Sequence, residues 1–534
     1  MTFRRNTRVL LALGSGVALA LSFPNYNLPL LAWFSIGMLV LASIGAPPRE
    51  APLYGFLHAF VFYPICLPWI ATVMHQYGSV NPWLSVGILS LFGIAGGIIW
   101  STFSASLAFI AREKSVALAC LFAPFMWVTL EFARTHLPFI GFPWNLTGYA
   151  ASDSLALLQL TPITGIWGLS LLIAAYGSFL AYAVLEGTRR IWKAAIAVTV
   201  TLLVVAIAGG YLIPHPQPRF VAHLVQTNFP QSEHYPDDWM QVHSGELDQL
   251  AQISIDSAKK NPGLIVWPEV PAPFSLQDPP FAARMVRIVK ESGSDFLVGV
   301  VDWQKNVPHP NDSQSAAPRP AQIQWSAYNS AVLLDPSGRR LYSYNKVHLV
   351  PFGEYVPLRH WLTFAGRLTA DIADFTAGES YAVGTIPMIE TYVPSTSPKF
   401  GTFICYEAIF PNEIRRFAAN GAELLINISN DGWFGRSAAP AQHLMMSRVR
   451  AIESRRWLLR DTNNGFTVAV DPYGRIVASL ATDIRGELEA PYDFRSDITP
   501  YVYLGDWLPW LSLLTSICIL AFALIYRANH ASSS

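Results

Sequence analysis

Hydrophobic residues fill long, nearly unbroken blocks up to about residue 213 and again at 508–526, whereas between these blocks short apolar runs alternate with polar ones. The long blocks divide into seven segments, residues 9–23, 28–46, 51–74, 84–111, 115–132, 160–185 and 191–213, with an eighth at 508–526. Most approach the roughly 20 residues a helix needs to cross about 30 Å of hydrocarbon; the first is shorter. The middle of the chain has a different period. Residues 220–226, 264–267, 296–302, 326–334, 341–345, 399–405, 424–429 and 466–471 predict strands, and residues 245–260, 280–292, 411–420 and 440–457 predict helices between them. Asp335-Pro-Ser-Gly338 and Asp471-Pro-Tyr-Gly474 are turn sequences, each closing a hairpin. Residues 305–322, rich in Pro, Ser and Asn, predict a surface loop.

Composition supports this division. The chain of 534 residues is 52% hydrophobic and only 13% charged, against about 25% charged in soluble proteins. The expected organisation is a seven-helix membrane domain at 1–216, an α/β catalytic domain at 217–503, and a final transmembrane helix with a short tail at 504–534. The first segment follows Arg4, Arg5 and Arg8 and ends near Ala18-Leu-Ala20, as a signal peptide does. An uncleaved span fits better, because an internal N-terminus then puts Arg49, Arg112, Lys114, Arg189, Arg190, Lys193 and Arg527 on one side of the membrane. The α/β domain is thereby expected outside the cytoplasm and both termini within it. Residues 1–219 hold 11 basic and 5 acidic residues, leaving 25 basic and 31 acidic. A mildly acidic outer domain argues against nucleic acid as a partner.

Polar landmarks in the membrane part are sparse. Gly93 and Gly97 suit helix packing. Glu131, near a span end, fits a functional carboxylate or a solvated interface group. No series of intramembrane charges suggests an ion path.

Four cysteines stand at 66, 120, 405 and 518, three of them in predicted spans. Cys405 is therefore alone in a domain expected to face an oxidising compartment, where structural cysteines come in pairs. It ends the strand-like Lys399-Phe-Gly-Thr-Phe-Ile-Cys405, where a core thiol and a delivered nucleophile are both compatible with the pattern. Two other strand ends carry charges: Leu264-Ile-Val-Trp-Pro-Glu269 and Tyr342-Ser-Tyr-Asn-Lys346. Each alone suits a solvated loop. Together they form a chemical set, since a thiol attacks a carbonyl only as thiolate. Glu269 is suited to take its proton, and Lys346 to favour the thiolate and then the oxyanion. Metal-binding, phosphate-loop, dinucleotide and serine-elbow motifs are lacking, so neither metal nor cofactor is expected.

Trp-Pro-Glu269, Asn-Lys346 with Pro-Phe-Gly-Glu354, and Ile-Cys405-Tyr-Glu407 resemble, in that order, the motifs of the nitrilase (carbon-nitrogen hydrolase) superfamily. Asn345-Lys-Val-His-Leu-Val-Pro-Phe-Gly-Glu-Tyr-Val-Pro357 and Ser429-Asn-Asp-Gly-Trp-Phe-Gly435, in this membrane frame, closely resemble its membrane-bound lipoprotein-acylating family in Gram-negative bacteria. The resemblance implies an αββα sandwich on the periplasmic face of the inner membrane. It implies transfer of an acyl chain from a phospholipid to the α-amino group of a diacylglyceryl-cysteine lipoprotein, through a thioester, by a monomer without cofactor. It makes Glu269 the base, Lys346 the oxyanion stabiliser and Cys405 the nucleophile, with Glu354, Tyr406 and Glu407 supporting. Tyr235 stands where that family usually has tryptophan and is expected to keep an aromatic lipid contact. Trp361 and Phe364 are expected at the bilayer surface near the acyl entry, and Trp433 and Phe434 along the acyl pocket; core packing accounts for these aromatics equally well. Gln442, His443, Arg448 and Arg450, on one predicted helix, suit a solvated or interdomain face better than a phosphate site. A membrane-tethered amidase and a lipid-binding protein with an inactive domain are the other readings.

Overall fold

A computed structural model describes residues 3–78, 80–137, 141–231, 235–270, 274–305, 325–355, 375–387 and 398–531. Helices stand at every predicted apolar segment, but their lengths differ from the expectation. Pro82–Glu113, Val116–Thr135, Trp167–Glu186, Arg189–Leu212 and Trp507–His530 are long and apolar enough to cross a membrane. Ala51–Cys66 and Pro68–Gln76 make a sixth only if taken as one span bent by 49°. The bend falls where Pro68 supplies no N–H and drives Leu67 out of helical geometry. Arg5–Leu21 has 17 residues and Ala32–Ser43 has 12, so by length the described residues hold fewer full spans than eight.

The segment expected at 160–185 begins its long helix only at Trp167. Before it, the single turn Thr161–Thr164 ends at Gly165, whose φ of +62° and contact with the Tyr501 ring leave no room for a side chain. The first helix is tied into the bundle. Arg8 Nη1 donates to the Ala42 and Ile44 carbonyls at 2.6 and 2.8 Å, and Ser15 Oγ donates to the Ser35 carbonyl at 2.7 Å. Gly93 and Gly97 face Phe60 and Phe56 of the neighbouring helix. Glu131 is buried rather than solvated, and its Oε1 accepts from the Thr147 N–H at 2.7 Å.

The α/β domain contains two six-stranded sheets. The first has the order β12-β1-β2-β3-β4-β5, from β1 (Phe220–Gln226), β2 (Leu264–Val266), β3 (Phe296–Lys305), β4 (Trp325–Leu334), β5 (Arg340–Asn345) and β12 (Gly486–Tyr492). The second has the order β11-β10-β9-β8-β7-β6, from β6 (Val383–Thr385), β7 (Lys399–Ile404), β8 (Leu424–Ser429), β9 (Trp457–Thr462), β10 (Val468–Val470) and β11 (Ile476–Ser479). Strands β1, β2 and β3 are mutually parallel, as are β7, β8 and β9. Their carboxyl ends, where parallel sheets present ligand-binding groups, carry Glu269 and Cys405.

The sheets pack face to face through Leu224, Val266, Leu297 and Leu333 on one side and Phe403, Leu425, Leu459 and Val470 on the other. Helices Ser244–Lys260 and Pro279–Ser292 cover the outer face of the first sheet with Leu247, Leu250, Phe281 and Met285. Pro411–Ala419 and Ala439–Ser454 cover the second. This fourth layer also belongs to the membrane part, because Met446, Val449 and Ile452 share one apolar cluster with Trp144, Ile166 and the membrane helices.

The sequence reading missed β6, β9, β11 and β12. The predicted helix at 440–457 stops at Ser454, and β9 begins with Trp457. Arg460 and Asp461 give β9 a polar signature although both are fully buried.

Gln442 is the main polar fastener between the layers. Its Oε1 accepts from Trp144 Nε1 at 2.7 Å and Trp69 Nε1 at 3.2 Å, while its Nε2 donates to the carbonyls of Pro24 and Cys66. Arg448 donates to the Ser152 carbonyl and Arg450 to Tyr149 Oη, so of the solvated and interdomain faces that the sequence left open, this helix face is the interdomain one. Gln442→Leu leaves two buried indole N–H groups and two carbonyls unpaired; a stability loss of about 3 kcal/mol is expected from the usual cost of such groups. Thermal unfolding of the detergent-solubilised protein measures it.

Candidate active site

Glu269 follows β2 on a segment that crosses close over β3. At Gly299, a Cβ would lie 2.3 Å from the Pro268 carbonyl oxygen, so only glycine permits this approach. Lys346 follows β5, and Glu354 follows on the next loop. Lys346 is 1% exposed, a position an ammonium occupies only with compensating charge. Its Nζ donates to Glu269 Oε1 at 3.1 Å and Glu354 Oε1 at 2.9 Å. Asn329 of β4 joins the same oxygens, with Nδ2 donating to Glu269 at 2.7 Å and Glu354 at 2.8 Å. The remaining carboxylate oxygens accept backbone N–H groups, Asn430 on Glu269 and Val350 on Glu354. Burial opposes the Lys346 charge, but the two carboxylates outweigh it and hold the ammonium above its ordinary range.

Cys405 opens a 3-10 turn, Cys405–Ile409, directly after β7. Its φ is +49°, a left-handed conformation that costs a non-glycine residue roughly 1–2 kcal/mol. Burial pushes the thiol up, Glu269 adds to this, and Lys346 only partly offsets it.

Glu407 ties the nucleophile's turn to the lysine's loop. Its Oε2 accepts from the Ile404 N–H at 2.6 Å, and its Oε1 accepts from Tyr344 Oη at 2.6 Å and the Val347 N–H at 2.7 Å. Burial pushes this carboxyl up to about 7 despite those donors. Tyr406 is buried against His348 and Phe410.

The remaining expected residues fall in three places. Phe434 packs against Trp69, Trp144 and His443, and Trp433, in the turn Asp431–Phe434, meets Tyr77 and is 38% exposed. Tyr235 stands farther out. Its Oη accepts from Gln231 Nε2, Gln231 Oε1 accepts from Asn430 Nδ2, and the Asn430 backbone N–H meets Glu269. Trp361 and Phe364 lie outside the described residues. Asn329 and Asn430 were missed by the sequence reading. Asn430 lies within the quoted Ser429–Gly435 motif, whereas Asn329, in the middle of a strand, offers no local signal.

Paired sheets with a buried carboxylate, ammonium and thiol at their strand ends are an arrangement suited to carbonyl attack by sulfur, and residues 239–494 match the carbon-nitrogen hydrolase family model. Residues 15–179 match the model described as the apolipoprotein N-acyltransferase N-terminal domain. The chain is 32% identical to the apolipoprotein N-acyltransferase of Geobacter metallireducens, over 98% of this chain and 96% of the relative. It is also 32% identical to that of Methylococcus capsulatus, over 98% and 97%. The chain belongs to the apolipoprotein N-acyltransferase family. Among solved structures, it is similar to Saccharomyces cerevisiae Nit3, a member of branch 10 of the nitrilase superfamily, at 18% identity and a TM-score of 0.36, over 52% of this chain and 91% of that one.

Glu407→Gln puts an amide N–H₂ against N–H donors that now meet a carboxylate. A loss of about 2–4 kcal/mol in stability is expected from the buried mismatch, together with a roughly 100-fold fall in turnover from displacement of the reacting groups. Thermal unfolding and acyl transfer to a lipopeptide, measured on the same preparation, check both.

Proposed function

We propose that the chain transfers a fatty acyl group from a phospholipid to the α-amino group of a diacylglyceryl-cysteine lipoprotein, through a thioester on Cys405. The observation that carries this reading is the buried ammonium of Lys346 between Glu269 and Glu354, beside a thiol on a strained strand-to-helix turn. Family membership over nearly the whole chain supports the choice of substrates.

In the first half-reaction, Glu269 takes the Cys405 proton as the sulfur attacks the phospholipid ester carbonyl. Coupling the two events matches a thiol whose burial resists prior ionisation. The tetrahedral oxyanion is stabilised by the Lys346 ammonium and a backbone N–H at the nucleophile's turn. Collapse expels lysophospholipid, whose alkoxide takes the proton from Glu269. In the second half-reaction Glu269 takes a proton from the attacking amine, and the thiolate departs as the amide forms. The thiolate recovers the proton from Glu269, so the cycle closes without net acid or base. Glu354 and Asn329 hold the lysine and the base at one spacing throughout.

The reading extends to placement. Eight membrane-spanning segments, with both termini cytoplasmic and the catalytic domain on the periplasmic face of the inner membrane, agree with the distribution of basic residues. Shorter helices such as Arg5–Leu21 then cross with the help of flanking polar anchors. Contact of the fourth layer with the membrane helices keeps the active turn close to its lipid substrate.

Incubation with phospholipid is expected to add a hydroxylamine-sensitive fatty-acyl mass to the Cys405 peptide. A diacylglyceryl-cysteine peptide is expected to remove it and become triacylated, and Cys405→Ser is expected to abolish turnover. Intact-mass and peptide mass spectrometry reads both steps; ammonia release from a simple amide without any acyl adduct would assign the site to amide hydrolysis instead.

A further inference from the structure

Around the Cys405 carbonyl lies a polar cluster that the acyl-transfer chemistry leaves unused. His443 of helix Ala439–Ser454 is fully buried, and its Nε2 is 3.0 Å from the Cys405 carbonyl oxygen. Its Nδ1 is 3.1 Å from Asp431 Oδ1 and 3.2 Å from Arg460 Nη2. Arg460 donates to both Asp431 oxygens, at 3.0 and 2.8 Å, and Ser429 Oγ donates to Oδ1 at 2.9 Å. Burial would raise the Asp431 carboxyl, but Arg460 and His443 hold it well below the usual range. Burial and then Arg460 lower His443, which favours the neutral ring.

A neutral imidazole carries one hydrogen. On Nδ1 it would donate to Asp431 Oδ1 but leave the Nε2 lone pair facing the Cys405 carbonyl oxygen, two acceptors in contact. On Nε2 it donates to Cys405, while Nδ1 accepts from Arg460. An imidazolium carries hydrogens on both nitrogens, so in either state Nε2 donates to the Cys405 carbonyl.

The consequence follows from peptide planarity. The Cys405 C=O and the Tyr406 N–H belong to one rigid unit and point in opposite directions. Cys405 itself has φ at +49°, a left-handed conformation for a non-glycine residue, and the contact with His443 holds the orientation of the peptide unit that follows it. Gln442, the next residue on the helix, anchors the donor's platform to Trp69 and Trp144.

We propose that His443 is a positioning residue for the oxyanion site: by holding the Cys405 carbonyl it turns the Tyr406 N–H toward the face on which the tetrahedral oxyanion forms. Asp431 and Arg460 fix its ring, and the inference rests on the acyl-enzyme reading above.

The test uses the full-length enzyme in phospholipid–detergent micelles and compares two reactions at the Cys405 peptide by mass spectrometry. Acylation by phospholipid passes through an oxyanion; alkylation by iodoacetamide does not. In His443→Leu, acylation is expected to slow about 100-fold, as loss of one oxyanion donor does elsewhere, while alkylation stays within about threefold of the unaltered enzyme. His443→Gln, which keeps an N–H donor at similar reach, is expected to recover at least about tenfold of that acylation loss. Unslowed acylation in His443→Leu overturns the proposal. An equal fall in both reactions, or a Gln variant no better than Leu, reduces His443 to a packing role and overturns it as well. Absence of any acyl adduct in the unaltered enzyme instead overturns the acyl-enzyme reading beneath it.

Discussion

A lysine ammonium with almost no exposure to water sets the terms for the rest of the structure. Moving one charge into a low-dielectric interior costs several kcal/mol after relaxation, and the cost is recovered only with opposite charge and hydrogen bonds in good geometry. Lys346 has both in Glu269 and Glu354, with Asn329 bonded to the same two oxygens. These four residues come from the end of β2, the middle of β4, the end of β5 and the loop after it. Their convergence requires the first sheet to be complete and in register. The thiol then enters from the second sheet at the end of β7, so the site exists only where both sheets are packed together.

The same economy of buried charge organises the surroundings of the Cys405 carbonyl. Asp431 and Arg460 are both fully buried and neutralise each other beneath His443. Glu407 gathers backbone N–H groups from the two segments that carry Cys405 and Lys346. The reacting groups are thus held by short polar links to rigid elements, the condition for preorganised electrostatic catalysis. Helix Ala439–Ser454 extends these links into the membrane bundle, where Gln442 meets indoles and carbonyls. A soluble sandwich would expose the outer face of this helix layer; here it is buried against the apolar helices, which ties the Cys405 turn to the membrane part.

Several parts of this arrangement were legible in the chain. The turns at Asp335–Gly338 and Asp471–Gly474 do join β4 to β5 and β10 to β11, because Pro, Asp and Gly at those positions satisfy a turn locally. Apolar runs ending in Glu269 and Cys405 are strands with those residues at their carboxyl ends. Other parts were hidden for physical reasons. Strand β9 carries Arg460 and Asp461, whose burial is tolerated only because partners elsewhere compensate for it. Strand β12 has the alternating acidic pattern of an edge strand, and its pairing with β1 joins residues 260 to 272 positions apart. The run at 51–74 reads as one continuous apolar span, yet Pro68 divides it by a 49° bend.

By itself, the sequence determined the membrane character of the two ends, the α/β character of the middle, and the identity of the glutamate, lysine and cysteine. These depend on composition, short-range periodicity and local motifs, which act between residues close in the chain. The tertiary structure alone decided that Glu354 shares the lysine with Glu269, that Asn329 bridges them, that burial pushes the Cys405 thiol up, and that His443 meets the Cys405 carbonyl. Each of these depends on burial and on electrostatic contact between residues distant in the chain, and desolvation has no value until the fold has excluded the water.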